Sequence, residues 1–355
     1  MTAPVNFLFL MTDQHRADYL GCYGHPMLKT PHIDSIAEGG TRFERFHVAN
    51  PVCMPNRATL MTGRMSSING VRHNGMPLPT HANTFVDVLR ASGYRTALIG
   101  KSHLQNFTGI PSYLGPNPAG EGPLANAWRD DGPHELESPE FWAQHRGAGF
   151  PTPYYGFDHV ELVTGHGDAP GGHYREWLRE QAPEAEALVG PANQLAHDYQ
   201  CPQAVRTALP EEWYSTSYIR DRALQYLERA AGAGQPFFAF VSFPDPHHPF
   251  NPPGRYWGMY DPGDMVLPPS FHAHRNPPPH LRWAREQFEA GRAVTHSQNA
   301  FMVNEVEARE AMALTCGMIA MIDDAVGELL ALLKRTGLAE KTVLIFNADH
   351  GDFMG

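Results

Sequence analysis

The sequence predicts an α/β protein with a large, mostly parallel central sheet, and three observations lead there. Short continuous apolar runs recur at 5–12, 95–99, 236–243 and 342–347, the pattern of strands buried on both faces. Stretches with helical spacing alternate with them, as a parallel sheet with crossover helices requires. Asp13 ends the first run and Asp349-His350 the last, so these polar residues should emerge together at one edge of the sheet.

Taken in order, residues 5–12 form a buried strand. Residues 30–37 fit a short helix with Thr30 as N-cap, Pro31 at its first position and Gly39-Gly40 closing it. A helix opens at 56–62. An amphipathic helix at 84–91, closed by Gly93, leads to the strand 95–99. Residues 105–210 break the alternation; rich in Pro, Gly, Trp and His, they read as a loop-rich insertion at the carboxyl ends of the strands. Helical spacing returns at 215–231, before the strand 236–243. Residues 251–300 read as Pro- and His-rich loop. The longest helix spans 305–336 and ends at Gly337, and the strand 342–347 follows. No internal repeat or low-complexity tract is visible.

A chain of 355 residues, 42% hydrophobic, can bury a sizeable core. Its net charge of −11 argues against nucleic acid as a partner, although a local pocket can still attract an anion. The four cysteines, Cys22, Cys53, Cys201 and Cys316, form no CxxC pair and no zinc-ligand spacing. Such low cysteine use suggests a reducing compartment. The apolar N-terminus lacks a basic n-region and a small-residue cleavage site, and no run is long enough for a membrane span. A cytoplasmic protein is expected.

The most specific stretch is Cys53-Met54-Pro55-Asn56-Arg57, a C-x-P-x-R pentapeptide. It follows the run ending at Asp13 and precedes Gly93–His103, Pro246-His-His-Pro-Phe250 and Asn347-Ala-Asp-His-Gly351. Five blocks in this order resemble the sulfatase family of the alkaline phosphatase superfamily, from residue 5 to the last. The likeness is close to arylsulfatases, choline-sulfatase-like enzymes and phosphonate monoester hydrolases. It implies an alkaline-phosphatase-like α/β/α sandwich, with 1–355 forming the catalytic domain. Members of the family usually continue with a lysine-bearing loop, more sheet and a small C-terminal subdomain, so a longer natural protein is expected.

On its own a free cysteine is usually a small buried hydrophobe. The resemblance instead makes Cys53 the precursor of formylglycine, installed by a separate maturation enzyme that reads Pro55 and Arg57. The hydrated aldehyde then attacks the ester, and its second hydroxyl releases the covalently bound group. Arg57 would stabilise the diol's negative form, and a helix starting near Cys53 would aim N–H groups at the anion. Asp13, Asp349 and His350, with the group made from Cys53, would bind one divalent ion; alone, such aspartates read as strand-end caps. Mostly oxygen ligands favour Ca2+, with Mn2+ the alternative because of the imidazole.

Lys101 and His103 match the family's G-K-x-H block. Lys101 would bind a sulfate oxygen, and His103 would serve as base when the bound group leaves. The P-H-x-P-F block selects His247 as proton donor to the leaving group, and His248 reads as a loop histidine. Gln14 replaces a second aspartate common in arylsulfatases, which lowers the site charge by one; it would contact substrate. Asn74 resembles a substrate-binding asparagine of phosphonate monoester hydrolases. His166, Asp168 and His173 could line a pocket or bind a second ion, but with 20 histidines in the chain scattered surface residues are the plainer reading. Cys22, Cys201 and Cys316 read as inert core.

The implied function is hydrolysis of small-molecule sulfate esters. The alternative is a phosphonate monoester or phosphodiester hydrolase with the same nucleophile. A non-catalytic relative of the fold is disfavoured because Cys53, Arg57, Lys101 and His247 are all retained. A homo-oligomer is compatible with the sequence, which leaves the leaving group unspecified.

Overall fold

The computed structural model describes residues 4–109, 133–273, 275–292 and 302–354. In chain order the elements are β1 (Asn6–Thr12), α1 (Pro31–Glu38), α2 (Cys53–Thr62), α3 (Ser66–Asn69), α4 (Phe85–Ala91), β2 (Arg95–Gly100) and α5 (Pro139–Gln144). They continue with β3 (His159–Thr164), β4 (Gly171–Gly172), α6 (His173–Gln181), α7 (Ser215–Ala231) and β5 (Phe237–Ser242). The last are α8 (Pro279–Glu289), α9 (Glu305–Arg335) and β6 (Thr342–Ala348).

Among the described residues six strands form one sheet in the order β4-β3-β2-β5-β1-β6. Every pairing is parallel except that of β4 with β3. Alternate residues of each strand face opposite layers. Leu8, Leu10, Ala97, Ile99, Ala239 and Val241 pack on one side in a cluster with Ile219, Ala223 and Leu227 of α7 and Ile319, Ile322 and Val326 of α9. Phe9, Met11, Leu98, Phe238 and Phe240 face the other side, against Met54, Ala58 and Met61 of α2 and Val86 of α4. Both strand faces are therefore covered, which is why these strands read as unbroken apolar runs. The result is the α/β/α sandwich expected.

The predicted elements appear with small shifts, except that the strand 342–347, read as buried, is β6, which ends the strand order and is only partly covered. α2 starts at Cys53, three residues before the predicted helix. α9 is closed at its start by a reciprocal Asn304–Glu307 capping box and carries Lys334 and Arg335 in its last turn, matching the helix dipole at both ends. Thr30 does not cap α1 through its side chain. Its hydroxyl accepts from the Gly21 N–H and donates to Asp34. The buried carboxylate of Asp323, on α9, takes the N–H groups of His32 and Ile33 instead, so the cap comes from a distant element.

Two stretches depart from the sequence reading. The segment 105–210, expected to be loop-rich, contributes β3 to the central sheet beside β2. β3 is half polar because it lies near the sheet margin, where Glu161 accepts from the Tyr218 hydroxyl. The segment 251–300, also read as loop, carries α8, on which no residue is buried.

Candidate active site

The sheet register places the site. Thr12 pairs with Ala348, Met11 with both Ser242 and Asn347, and Gly100 with both Ser242 and Leu162. The strand ends are thus level, and Asp13, Lys101 and Asp349 each leave the sheet one residue beyond them. His166 follows β3 and His247 follows β5 at the same edge. Gly100 makes the turn into Lys101 with φ +106°; a Cβ there would lie 1.9 Å from the Ser242 carbonyl oxygen, so only glycine fits.

Cys53, the first residue of α2, points into this edge. Its Sγ lies 3.2 Å from His350 Nε2 and donates to Asp13 Oδ1 at 3.5 Å. One donor atom each from Asp13, Cys53, Asp349 and His350 lies within 4.8 Å of the others, and all four residues are buried. Asp349 accepts through Oδ1 from the N–H groups of Gln14 (3.0 Å) and His350 (2.7 Å), and through Oδ2 from Arg57 Nε at 2.7 Å. Burial works to raise the Asp349 carboxyl, but Arg57, His350 and Lys101 override it and hold the group well below the usual carboxylate range. Arg57 is anchored by the Lys101 carbonyl (3.0 Å) and Ser242 Oγ (2.9 Å). Asn56, in the preceding position, donates to the Asp349 carbonyl at 2.5 Å. The start of α2 is therefore bolted to the end of β6.

This constellation fits the two groups that the sequence implied. Two carboxylates and one imidazole around the Cys53 position are a suitable donor set for a divalent ion. Arg57 Nη2 and His103 Nδ1, both buried, have no protein partner among the described residues, so a donor and a ring nitrogen remain for an anionic or hydroxylic ligand. Burial, with the Asp349 charge, pushes the Cys53 thiol up, so an unconverted Cys53 stays protonated and is a poor nucleophile.

Lys101 is fully buried, and burial pulls its ammonium down to about 7. Its Nζ pairs with Asp13 Oδ2 and lies 2.8 Å from His166 Nε2. His103 sits at φ +54°, stacks on Phe107 at 3.6 Å between centroids, and accepts from the Gly165 N–H at 3.3 Å. His247 Nδ1 donates to the His248 carbonyl at 2.5 Å, which leaves Nε2 for the site. Burial, then the neighbouring His248 and Lys101, keep His247 well below the usual imidazole range. A resting His247 is neutral without a proton on Nε2, and an anionic ester beside it would oppose that shift.

Gln14, also at positive φ, directs its side-chain nitrogen to His248 Nδ1 at 3.1 Å and to Asp352. Asn74 lies at the rim, where its Oδ1 accepts the Met54 N–H at 3.2 Å, one of the free donors at the start of α2. The structure corrects the reading of His166 as a scattered surface residue. Its side chain is 5% exposed and stacks on His247 with centroids 3.6 Å apart. Asp168 and His173 are not scattered surface residues either, Asp168 being buried and His173 partly so, but their contacts are structural: Asp168 accepts the Gly190 N–H and His173 accepts the Leu162 N–H. Cys201 and Cys316 are core residues as read, whereas Cys22 is only partly buried.

Sequence reasoning missed several buried carboxylates, and Glu137 is one that supports the site. Glu137 accepts from the backbone N–H groups of His103 (2.8 Å), Leu104 (2.9 Å) and Gln105 (3.0 Å) and from the Tyr154 hydroxyl (2.6 Å). Nothing in its local sequence signals this, because the four donors meet only in the fold. Glu137→Leu would strand three buried N–H groups. It is expected to lower stability by about 1–3 kcal/mol or more, seen as a lower urea midpoint, and to lower turnover because His103 loses its tether. An unchanged midpoint would refute the anchoring role.

Comparison with known proteins places this geometry. A family model described as Sulfatase matches residues 5–355. An arylsulfatase of Clostridium perfringens (strain 13 / Type A) is 25% identical over 354 residues, covering 99% of this chain and 63% of that protein. A protein of Trinickia caryophylli, described as a multifunctional alkaline phosphatase superfamily protein, is 29% identical over 368 residues, with coverage of 99% and 63%. Among solved structures, the phosphonate monoester hydrolase of Agrobacterium radiobacter superposes with a TM-score of 0.69 at 25% identity, covering 99% of this chain and 63% of that one. The chain thus spans less than two thirds of the length of each of these relatives.

Proposed function

The chain belongs to the sulfatase family, and from that premise we propose that it hydrolyses small-molecule sulfate esters, with Cys53 as the precursor of a formylglycine nucleophile. The observation that carries this reading is the buried quartet Asp13, Cys53, Asp349 and His350 at the start of α2, with donor atoms within 4.8 Å of one another. Formylglycine at position 53, made by a maturation enzyme, would supply a hydrated aldehyde as nucleophile. A divalent ion held by Asp13, Asp349 and His350 would supply Lewis-acid polarisation; the carboxylate-rich set favours Ca2+ over Mn2+.

The chain's own groups do the rest. Arg57 and Lys101 place two positive charges beside position 53, where the transferred group gains charge. The first N–H groups of α2 add a partial positive field. His103, with Nε2 accepting from the Gly165 N–H, carries its hydrogen on the partnerless Nδ1 and can donate it to the transferred group. Its role as base requires Nε2 to leave Gly165 and take the proton, and His247 Nε2 faces the leaving group. Low cysteine use, with all four cysteines unpaired, supports a cytoplasmic location; among the described residues no helix is long and apolar enough to cross a membrane.

A second reading, hydrolysis of phosphonate monoesters or phosphodiesters, is favoured by Gln14, which leaves the site one carboxylate poorer. A sulfate monoester and a phosphodiester each carry one negative charge on the transferred group, so one site can accept both. The test is kcat/KM for aryl sulfate, phosphonate monoester and phosphodiester on protein whose peptide around Cys53 is lighter by about 18 Da, the mark of conversion. Preference for sulfate supports the main reading, preference for a phosphonate or phosphodiester replaces it with the second, and inactivity of converted protein refutes both.

His247 gives a separate expectation. His247→Ala should slow substrates with poor leaving groups by roughly 10²–10⁴-fold, and nitrophenyl esters far less, with metal content unchanged. An equal loss along the leaving-group series would mean that His247 only positions substrate.

A further inference from the structure

We infer that His166 is a positioning residue that holds Lys101 and His247 in register for the transferred group, an inference that rests on the hydrolase reading above. Three contacts point to it. Its Nε2 accepts from Lys101 Nζ at 2.8 Å. Its ring lies flat on His247, with centroids 3.6 Å apart and 8° between planes. Its edge meets His103 at 5.3 Å and 79°. One side chain at the end of β3 thus touches three of the groups assigned to the reaction, and all three come from other segments.

The chemistry of each contact differs. Lys101 is a flexible stem carrying a strongly hydrated point charge, so a buried ammonium needs fixed acceptors to hold one direction. Asp13 supplies one and His166 Nε2 the other. The face-to-face ring contact restricts rotation of His247 about its ring axis, while the His248 carbonyl fixes its Nδ1. Together these leave His247 Nε2 one direction in which to act.

The same place could be read as a second metal site, since donor atoms of Asp13, Cys53, His166 and His247 lie within 4.8 Å of one another. The Lys101 ammonium already sits against two members of that quartet, Asp13 and His166. A second divalent ion would have to displace a paired cation, so the quartet serves as the seat of a lysine.

Two substitutions separate the two duties. His166→Phe keeps a flat ring over His247 and removes the acceptor for Lys101. His166→Gln keeps an acceptor near the Nε2 position and removes the ring. Binding of inorganic sulfate, by calorimetry, reads the first duty; the leaving-group dependence of kcat across a series of aryl sulfates reads the second. His166→Phe should weaken sulfate binding roughly tenfold and leave the leaving-group dependence as in the wild type. His166→Gln should bind sulfate within about twofold of wild type but lose turnover most on poor leaving groups. If both variants match the wild type, or if both lose both properties equally, the inference falls while a wild type active on aryl sulfate keeps the functional reading. If the wild type turns over only phosphonate monoesters and the variants split in this way on them, His166 keeps its role and the sulfate reading falls.

Discussion

Asp349→Ala is expected to abolish metal retention and to destabilise the fold by about 3–5 kcal/mol, the range for removing one partner of a buried ion pair. Its carboxylate faces Arg57 at 2.7 Å, and the two side chains are 0% and 1% exposed. Without it a guanidinium stays buried with no counter-charge, and the N–H groups of Gln14 and His350 lose their acceptor. Stability would be read from a denaturant titration and metal from elemental analysis of desalted protein. Arg57→Leu in the same chain separates the two effects. The double variant should regain much of the stability, because the stranded charge is gone, but none of the metal. Stoichiometric metal in Asp349→Ala would overturn the ligand assignment, and a wild-type midpoint would show that the ion pair contributes little to folding.

Much of this arrangement was legible before the structure. Strands buried on both faces are written as apolar runs, so β1, β2 and β5 could be placed. β6 carries an apolar run too, although it is only partly buried at the sheet edge, and the residues just past the strand ends belong to the site. Cys53, Arg57, Lys101 and His247 were found because the family's blocks keep them in a fixed local context. What was not legible has a common cause. β3 is too polar to stand out from the loops around it, because its place near the sheet margin tolerates His159 and Glu161. α8 buries no residue, so no periodic apolar face marks it. His166 and Glu137 acquire their roles from neighbours distant in sequence: His166 from Lys101 and His247, Glu137 from the loop that carries His103. Their immediate sequence resembles ordinary loop, and only the close approach of strand ends reveals them. Asp323 makes the same point for folding, since it replaces a local cap on α1 from almost 300 residues away along the chain.

The largest effect on activity is expected at Cys53. Cys53→Ala should remove the nucleophile and lower turnover on the order of 10⁶-fold, the scale of losing a hydrolase nucleophile. Cys53→Ser should behave differently, and the difference is the sharper test. A serine hydroxyl would start at the same place, at the beginning of α2 and within reach of Arg57 and Lys101, so one attack on an activated ester remains feasible. It would then be trapped, because a serine ester has no second hydroxyl with which to expel the bound group. The expected result is release of no more than one equivalent of phenol per site, followed by silence, with the protein heavier by one sulfuryl group. Cys53→Ala should give no such burst. Arg57 and Asp349 are untouched in both variants, so the unfolding midpoint should stay close to that of the parent. Cys53→Ser, which keeps an oxygen at the ligand position, should still bind metal, whereas Cys53→Ala gives up that ligand and should hold it more weakly. Sustained turnover by Cys53→Ser would show that release needs no second hydroxyl at position 53, and the formylglycine assignment would fall. A burst that is also seen with Cys53→Ala would place the nucleophile elsewhere, and His103, His166 and His247 would be the groups to examine next.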